Sequence, residues 1–205
     1  MARAGGEKRR IGLLGGTFDP PHLGHLVVGD QVRKAAGLDE VWFVVANDPW
    51  QKADREVTPA AVRLEMTEAA IAAAPGLSVS PIEIERGGTT YTIDTLETLR
   101  LRHPDVEWSV IVGRDAAAGL HTWHRADDLR EAARFLVVDR PGSVAEVSAG
   151  FASSTVDVPE LEISSSDIRR RVAAGESVRF LVPDAVVELV ERHGLYRPGD
   201  YAPAQ

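Results

Sequence analysis

The sequence predicts an α/β protein built on a doubly wound parallel sheet, and three observations lead there. Ile11 to Leu14 and Val41 to Ala46 are apolar runs, the second continuous as in strands covered on both faces, and Trp108 to Val112 and Leu136 to Val138 read as further strands. The first two runs flank an amphipathic stretch from Leu23 to Ala36, making a strand, helix and strand within about 35 residues, a unit that is right-handed almost without exception. Between the first strand and its helix lies Gly15-Gly16-Thr17-Phe18-Asp19-Pro20-Pro21-His22-Leu23-Gly24-His25. That turn falls at the carboxyl edge of the sheet, where ligands collect in such folds.

Ile11 to Leu14 is the first strand. In the turn after it, two glycines let the backbone approach a ligand and bare its N–H groups, and the helix start adds a partial positive charge. The turn therefore favours an anion, above all a polyphosphate. It has neither the Gly-Lys-Ser/Thr of a Walker loop nor a GxGxxG fingerprint. His22 and His25, three apart, project from one face of the helix, which Gly37 closes. Val41 to Ala46 is the second strand, and the polar loop 47–57 offers Lys52 as a phosphate contact or as an ordinary solvated lysine. Thr58-Pro59 reads as N-cap and first residue of a helix that runs to about Ala74, before Pro75-Gly76.

Leu77 to Ile84 is the third strand, with Pro81 implying an edge or an irregular position. Thr92 reads as the N-cap of a helix from Ile93 to about His103, whose first N–H groups suit a carboxylate. Trp108 to Val112, the fourth strand, ends in Gly113-Arg114-Asp115 at the same edge. Asp115 suits a ribose hydroxyl there or a role in holding the adjoining loop, and Arg114 suits either a phosphate or solvent. Trp123 sits in a polar loop, either as a lid over the core or as a flat surface for a pyridine or adenine ring. Leu136 to Val138 is the fifth strand, Val144 to Phe151 carries little signal, and Thr155 to Val158 is a short extended stretch. Ser164 to Ser166 start a helix that continues through Arg169 to Ala174, where hydroxyls, N–H groups and a guanidinium form a second anion site. Pro183 opens the last helix, which Gly194 ends and whose apolar face reads as packing.

Composition narrows the function classes. A chain of 205 residues is expected to form one domain, with an ordered core over about 10–197 and flexible tails. The formal charge of −8 argues against a nucleic-acid platform. With no cysteine there is no thiolate nucleophile and no disulfide frame. No apolar run reaches membrane-span length, so no membrane partner is expected, and a cytoplasmic location is. Homo-oligomer formation is compatible with the sequence.

GGTFDPPHLGH resembles the T/HxGH signature of the nucleotidyltransferase superfamily. Ile163-Ser164-Ser165-Ser166-Asp167-Ile168-Arg169, about 140 residues downstream, resembles the second signature, ISSTxIR, with Ser in place of Thr. The resemblance implies the Rossmann-like nucleotidyltransferase fold, of the adenine nucleotide alpha hydrolase-like type. GGTTYTIDTL at 87–96, VGRDAAAGLHTWHRADDL at 112–129 and HGLY at 193–196 are most similar to bacterial nicotinate mononucleotide adenylyltransferases.

Carried onto this chain, that likeness implies that Gly15, Gly16, Thr17, Phe18, His22 and His25 hold the ATP phosphates. Ser165, Ser166 and Arg169 would meet the phosphates from the other side, with Gly113 and Asp115 along the cleft. Tyr91 and Thr92 would receive a nicotinate carboxylate through their backbone, Trp123 would stack on the ring, and Lys52 would contact substrate. His22, His25 and Arg169 are the expected catalytic groups. Magnesium would arrive with ATP, with no protein metal ligand. The alternatives are a related enzyme such as phosphopantetheine adenylyltransferase, or a non-catalytic ATP sensor. Ala46, ANDPWQK at 46–52 and Ala126 depart from the commoner pattern, away from the phosphate turn.

Overall fold

The computed structural model describes residues 8–48, 57–139 and 146–198. Six strands form a single sheet: β1 (Arg9–Gly16), β2 (Glu40–Val45), β3 (Leu77–Ser80), β4 (Val106–Gly113), β5 (Arg134–Asp139) and β6 (Ser153–Asp157). All five pairings are parallel and the order is β3-β2-β1-β4-β5-β6. The chain thus winds outward twice from the centre, and the reversal between β1 and β4 opens a crevice at their carboxyl ends.

The continuous apolar strands explain themselves in the two cores. Ile11 and Leu13 of β1, Val110 and Val112 of β4, and Phe135 and Val137 of β5 face one layer, while Ile111, Leu136 and Val138 face the other. A pleated strand presents alternate residues to opposite faces, so a strand covered on both sides is apolar at every position. The helices α1 (Leu23–Ala35), α2 (Ala60–Ile71), α7 (Ser165–Ala173) and α8 (Asp184–Arg192) cover one face. On the other lie α4 (Thr92–Arg102), α5 (Arg114–Ala118) and α6 (Ala126–Ala132), with the short α3 (Ile82–Arg86) beside them. The α8 residues Val186, Leu189 and Val190 are buried, as their spacing predicts.

Several expected boundaries are corrected. The third strand does not reach Ile84: it stops at Ser80, and residues 82–86 turn into α3, with Pro81 at the N-cap. Proline cannot donate to a strand ladder but fits a helix entry, so Pro81 acts as a stop and not only as an edge marker. Pro59 rather than Thr58 caps α2, which ends at Ile71. Tyr91 rather than Thr92 caps α4. The stretch near residue 155 is a full sixth strand pairing with β5. Helices α5 and α6, too short to show a period, had no sequence signal. Among the described residues, no helix is long and apolar enough to cross a membrane.

Candidate active site

The phosphate turn is held from behind by side chains from distant parts of the chain. Ser165 Oγ donates to Pro20 O at 2.8 Å, Arg169 Nη1 to Asp19 O at 2.6 Å and Arg63 Nη1 to Thr17 O at 2.8 Å. Three carbonyls of one short turn are thereby tied to its rear, which satisfies buried acceptors that would otherwise be costly. Arg169 is 2% exposed and also donates from Nη2 to Ser166 Oγ at 3.1 Å. Arg169 thus braces the turn from behind while lining the smaller of two cavities at the site. Tyr196, at the end of the described chain, donates from its hydroxyl to Asp19 Oδ1 at 2.6 Å, and Asp19 is itself 1% exposed.

Burial first, and then the neighbouring Asp19 carboxylate, push the Tyr196 phenol above its ordinary value. The folded value exceeds the unfolded one, so this contribution to stability is fully present below an unfolded value of about 10 and is lost as pH rises past it. Tyr196→Phe is expected to cost about 2 kcal/mol at neutral pH, as for hydrogen bonds to charged groups. It should also flatten the alkaline fall in stability. Urea unfolding of both proteins at neutral and alkaline pH measures this.

His22 and His25 sit at the mouth of the turn, where the first residues of α1 are aimed by the N-cap at His22. Their rings stack, with centroids 3.7 Å apart, and the Phe18 ring meets His25 edge-on at 5.0 Å. The backbone N–H of His22 donates to His25 Nδ1 at 3.2 Å. A neutral His25 therefore carries its proton on Nε2, which makes Nε2 its donor. The Phe18 ring is 2% exposed and packed in the core, at a left-handed φ of 49°. Only its backbone remains to meet a ligand. A Cβ at Gly24 would lie 3.0 Å from His22 Nδ1. Gly24→Ala is accordingly expected to leave thermal stability intact while displacing the imidazole and lowering turnover about tenfold. Melting curves beside saturating rates test it.

Two cavities meet at the switch point. One, about 450 Å³, is lined by His22, His25, Ser165, Ser166 and Arg169. The other, about 510 Å³, is lined by Gly15, Gly16, Thr17, Asp115, Tyr91, Thr92 and Trp123. Leu14, Ile111, Val112 and Gly113 belong to both walls, so the carboxyl ends of β1 and β4 form the partition. Trp123 is half-buried in its wall, and the neighbouring His124 stacks on Tyr91 at 4.2 Å. Arg114 pairs with Asp139 through Nε at 2.6 Å and through Nη2, which joins the ends of β4 and β5. Lys52 lies outside the described residues. A third depression, along α2 and β3, contains none of the residues expected in the site.

The profile of the Cytidylyltransferase-like family matches residues 13–171. The chain belongs to that family. It is 46% identical over 187 residues to a probable nicotinate-nucleotide adenylyltransferase of Exiguobacterium sibiricum, covering 91% of this chain and 98% of the relative. A protein of Saccharopolyspora erythraea with the same designation is 46% identical over 196 residues, covering 95% and 92%. Within the cytidylyltransferase-like proteins the chain is thus a member of the nicotinate-nucleotide adenylyltransferase branch, an enzyme of nucleotidyl transfer. A solved Plasmodium falciparum nicotinic acid mononucleotide adenylyltransferase, complexed with NaAD, has the same fold, with a TM-score of 0.76 at 20% identity over 92% of this chain and 97% of that one.

This cytidylyltransferase-like site also holds residues that carried no sequence signal. Glu83, 5% exposed, lines the larger cavity and accepts from Thr95 Oγ1 at 2.7 Å, and Arg86 Nη1 donates to that same hydroxyl at 3.0 Å. Burial raises the Glu83 carboxyl above its usual range, against the opposing pull of the Thr95 hydrogen bond and the Arg86 charge. This relay pins α3 to the first turn of α4. Among the described residues, no group of three or more His, Asp or Glu could hold a metal ion.

Proposed function

We propose that the chain transfers the adenylyl group of ATP to nicotinate mononucleotide, giving deamido-NAD and pyrophosphate, in the cytoplasm. The two cavities meeting at one partition carry this reading: one is lined by the two imidazoles and the serine-rich start of α7, suited to phosphates, and the other runs from Gly15, Gly16 and Thr17 of the turn to a partly apolar slot with Trp123 on its wall and a helix start beside it. The relatives' designations point to the same substrate.

A 5′-phosphate oxygen of the mononucleotide attacks the α-phosphorus in line. A new P–O bond forms there as the bond to the β-phosphate oxygen breaks, and pyrophosphate takes the electron pair. The nucleophile is already anionic, so the protein needs no general base. Its work is alignment and stabilisation of charge on the transferring phosphorus and the leaving group. His25 Nε2 and His22 would donate to the phosphates, and the amides at the start of α4 would receive the nicotinate carboxylate. Magnesium would come bound to ATP through phosphate oxygens and water.

The test is magnesium-dependent pyrophosphate release from ATP, with nicotinate mononucleotide, nicotinamide mononucleotide and phosphopantetheine offered separately. Strong release with the first and much weaker release with its amide is expected. Release only with phosphopantetheine would overturn the substrate assignment, and ATP binding without release would make the protein a sensor.

A further inference from the structure

Arg63 is 1% exposed, and none of the chemistry above uses it. Its guanidinium donates to backbone carbonyls of three separate segments: Nη1 to Thr17 O in the phosphate turn at 2.8 Å, Nη2 to Asn47 O just after β2 at 3.0 Å, and Nε to Thr58 O at the entry of α2 at 2.7 Å. A guanidinium is planar and its donors diverge at fixed angles. Three acceptors gripped by one such group have their mutual separations set by it. A methionine would fill similar volume without the cost of desolvating a charge, so what the arginine adds is direction, not bulk.

Asn47 carries the connection onward. Its Nδ2 donates to Gly88 O at 3.1 Å, and the adjacent Asp48 forms a bridge with Thr89, in the loop that leads to Tyr91 and the start of α4. Arg63 lines neither cavity, yet it ties the turn, whose Gly15 to Thr17 line the larger cavity and whose His22 and His25 line the smaller, to the loop that leads to Tyr91 on the wall of the larger one. We infer that Arg63 is a positioning residue for the transfer reaction, holding the phosphate turn in register with the ring-pocket loop through Asn47 so that the two bound substrates meet in line. This rests on the two-substrate reading above. It adds a residue that touches neither substrate and acts on their relative placement.

Misalignment should appear in turnover and not in binding. Altering Arg63 removes one of the three bonds behind the turn and leaves those of Ser165 and Arg169, so the loss falls chiefly on alignment. Arg63→Lys keeps the charge but not the planar fork. Its kcat is expected to fall about a hundredfold while KM for ATP and for the acceptor each change less than about threefold. Asn47→Ala leaves the backbone bonds of Arg63 and the Asp48–Thr89 bridge in place and removes the side-chain link to Gly88, so its kcat should fall about tenfold with both KM values steady. Circular dichroism and melting curves establish the folded fraction, by which every rate is divided. Where Arg63→Lys does not fold, Asn47→Ala decides.

Parent-like kcat in either folded variant overturns the inference. So does a loss that vanishes on correction for unfolded protein, or one confined to the KM of a single substrate. The assays use whichever acceptor the parent turns over. A wrong substrate assignment therefore fails with the parent protein, and a wrong role for Arg63 fails only with the variants.

Discussion

His25→Ala is expected to lower kcat by two to three orders of magnitude, about 3 kcal/mol of transition-state stabilisation, with smaller changes in KM. The imidazole is fixed before any substrate arrives: its Nδ1 accepts from the His22 backbone, its face lies on the His22 ring at 3.7 Å, and Phe18 closes its edge. A donor held this way needs no reorganisation as charge builds on the phosphates, which is why its removal should fall on the chemical step. Pyrophosphate release at saturating ATP and nicotinate mononucleotide measures the effect, with His25→Gln as the control that keeps a donor. Turnover within a few-fold of the parent would remove His25 from the chemistry.

Arg169→Ala should cost both stability and activity. Its guanidinium, 2% exposed, bonds Asp19 O and lies 4.0 Å from the Asp19 carboxylate, which is as deeply buried. Removing one partner of a buried pair leaves the other charge uncompensated, for an expected loss of about 3 to 5 kcal/mol. The same change releases the Asp19 carbonyl, and with it the conformation of the turn, so turnover should collapse in the protein that remains folded. Arg169→Lys separates the two roles: it should recover much of the stability but little of the rate, since an ammonium cannot reach Asp19 and Ser166 together. Urea unfolding and saturating kinetics on both variants test this. Unchanged stability in Arg169→Ala would show that the buried contact does not support the turn.

The parallel sheet, the turn between β1 and α1 and the serine-rich start of α7 were legible because each is written in adjacent residues. Continuous apolar runs mark strands covered on both faces, and Gly15-Gly16 with His22 and His25 mark a strand-to-helix turn. Elements with short or mixed signals were not legible. Pro81 read as an edge or irregular position within a strand and proved a helix entry, and α5, at five residues, is below the length at which a helical period can be read. Ser164 at the N-cap of α7 was readable, since its hydroxyl accepts from Asp167 N three residues on, whereas the rear bonds of Ser165 and Arg169 to the turn were not.

Local pattern alone therefore set most of the strands, the longer helices and the position of the turn between β1 and α1, because propensity, capping and backbone conformation act over a few residues. The buried polar supports came from three-dimensional packing. Tyr196 reaches Asp19 across 177 positions, Arg63 gathers carbonyls from three segments, and Glu83 finds Thr95 across a change of element. A polar side chain carries no mark of its distant partner. Only when burial removes water does each donor have to find an acceptor, and the folded backbone determines which one lies within reach.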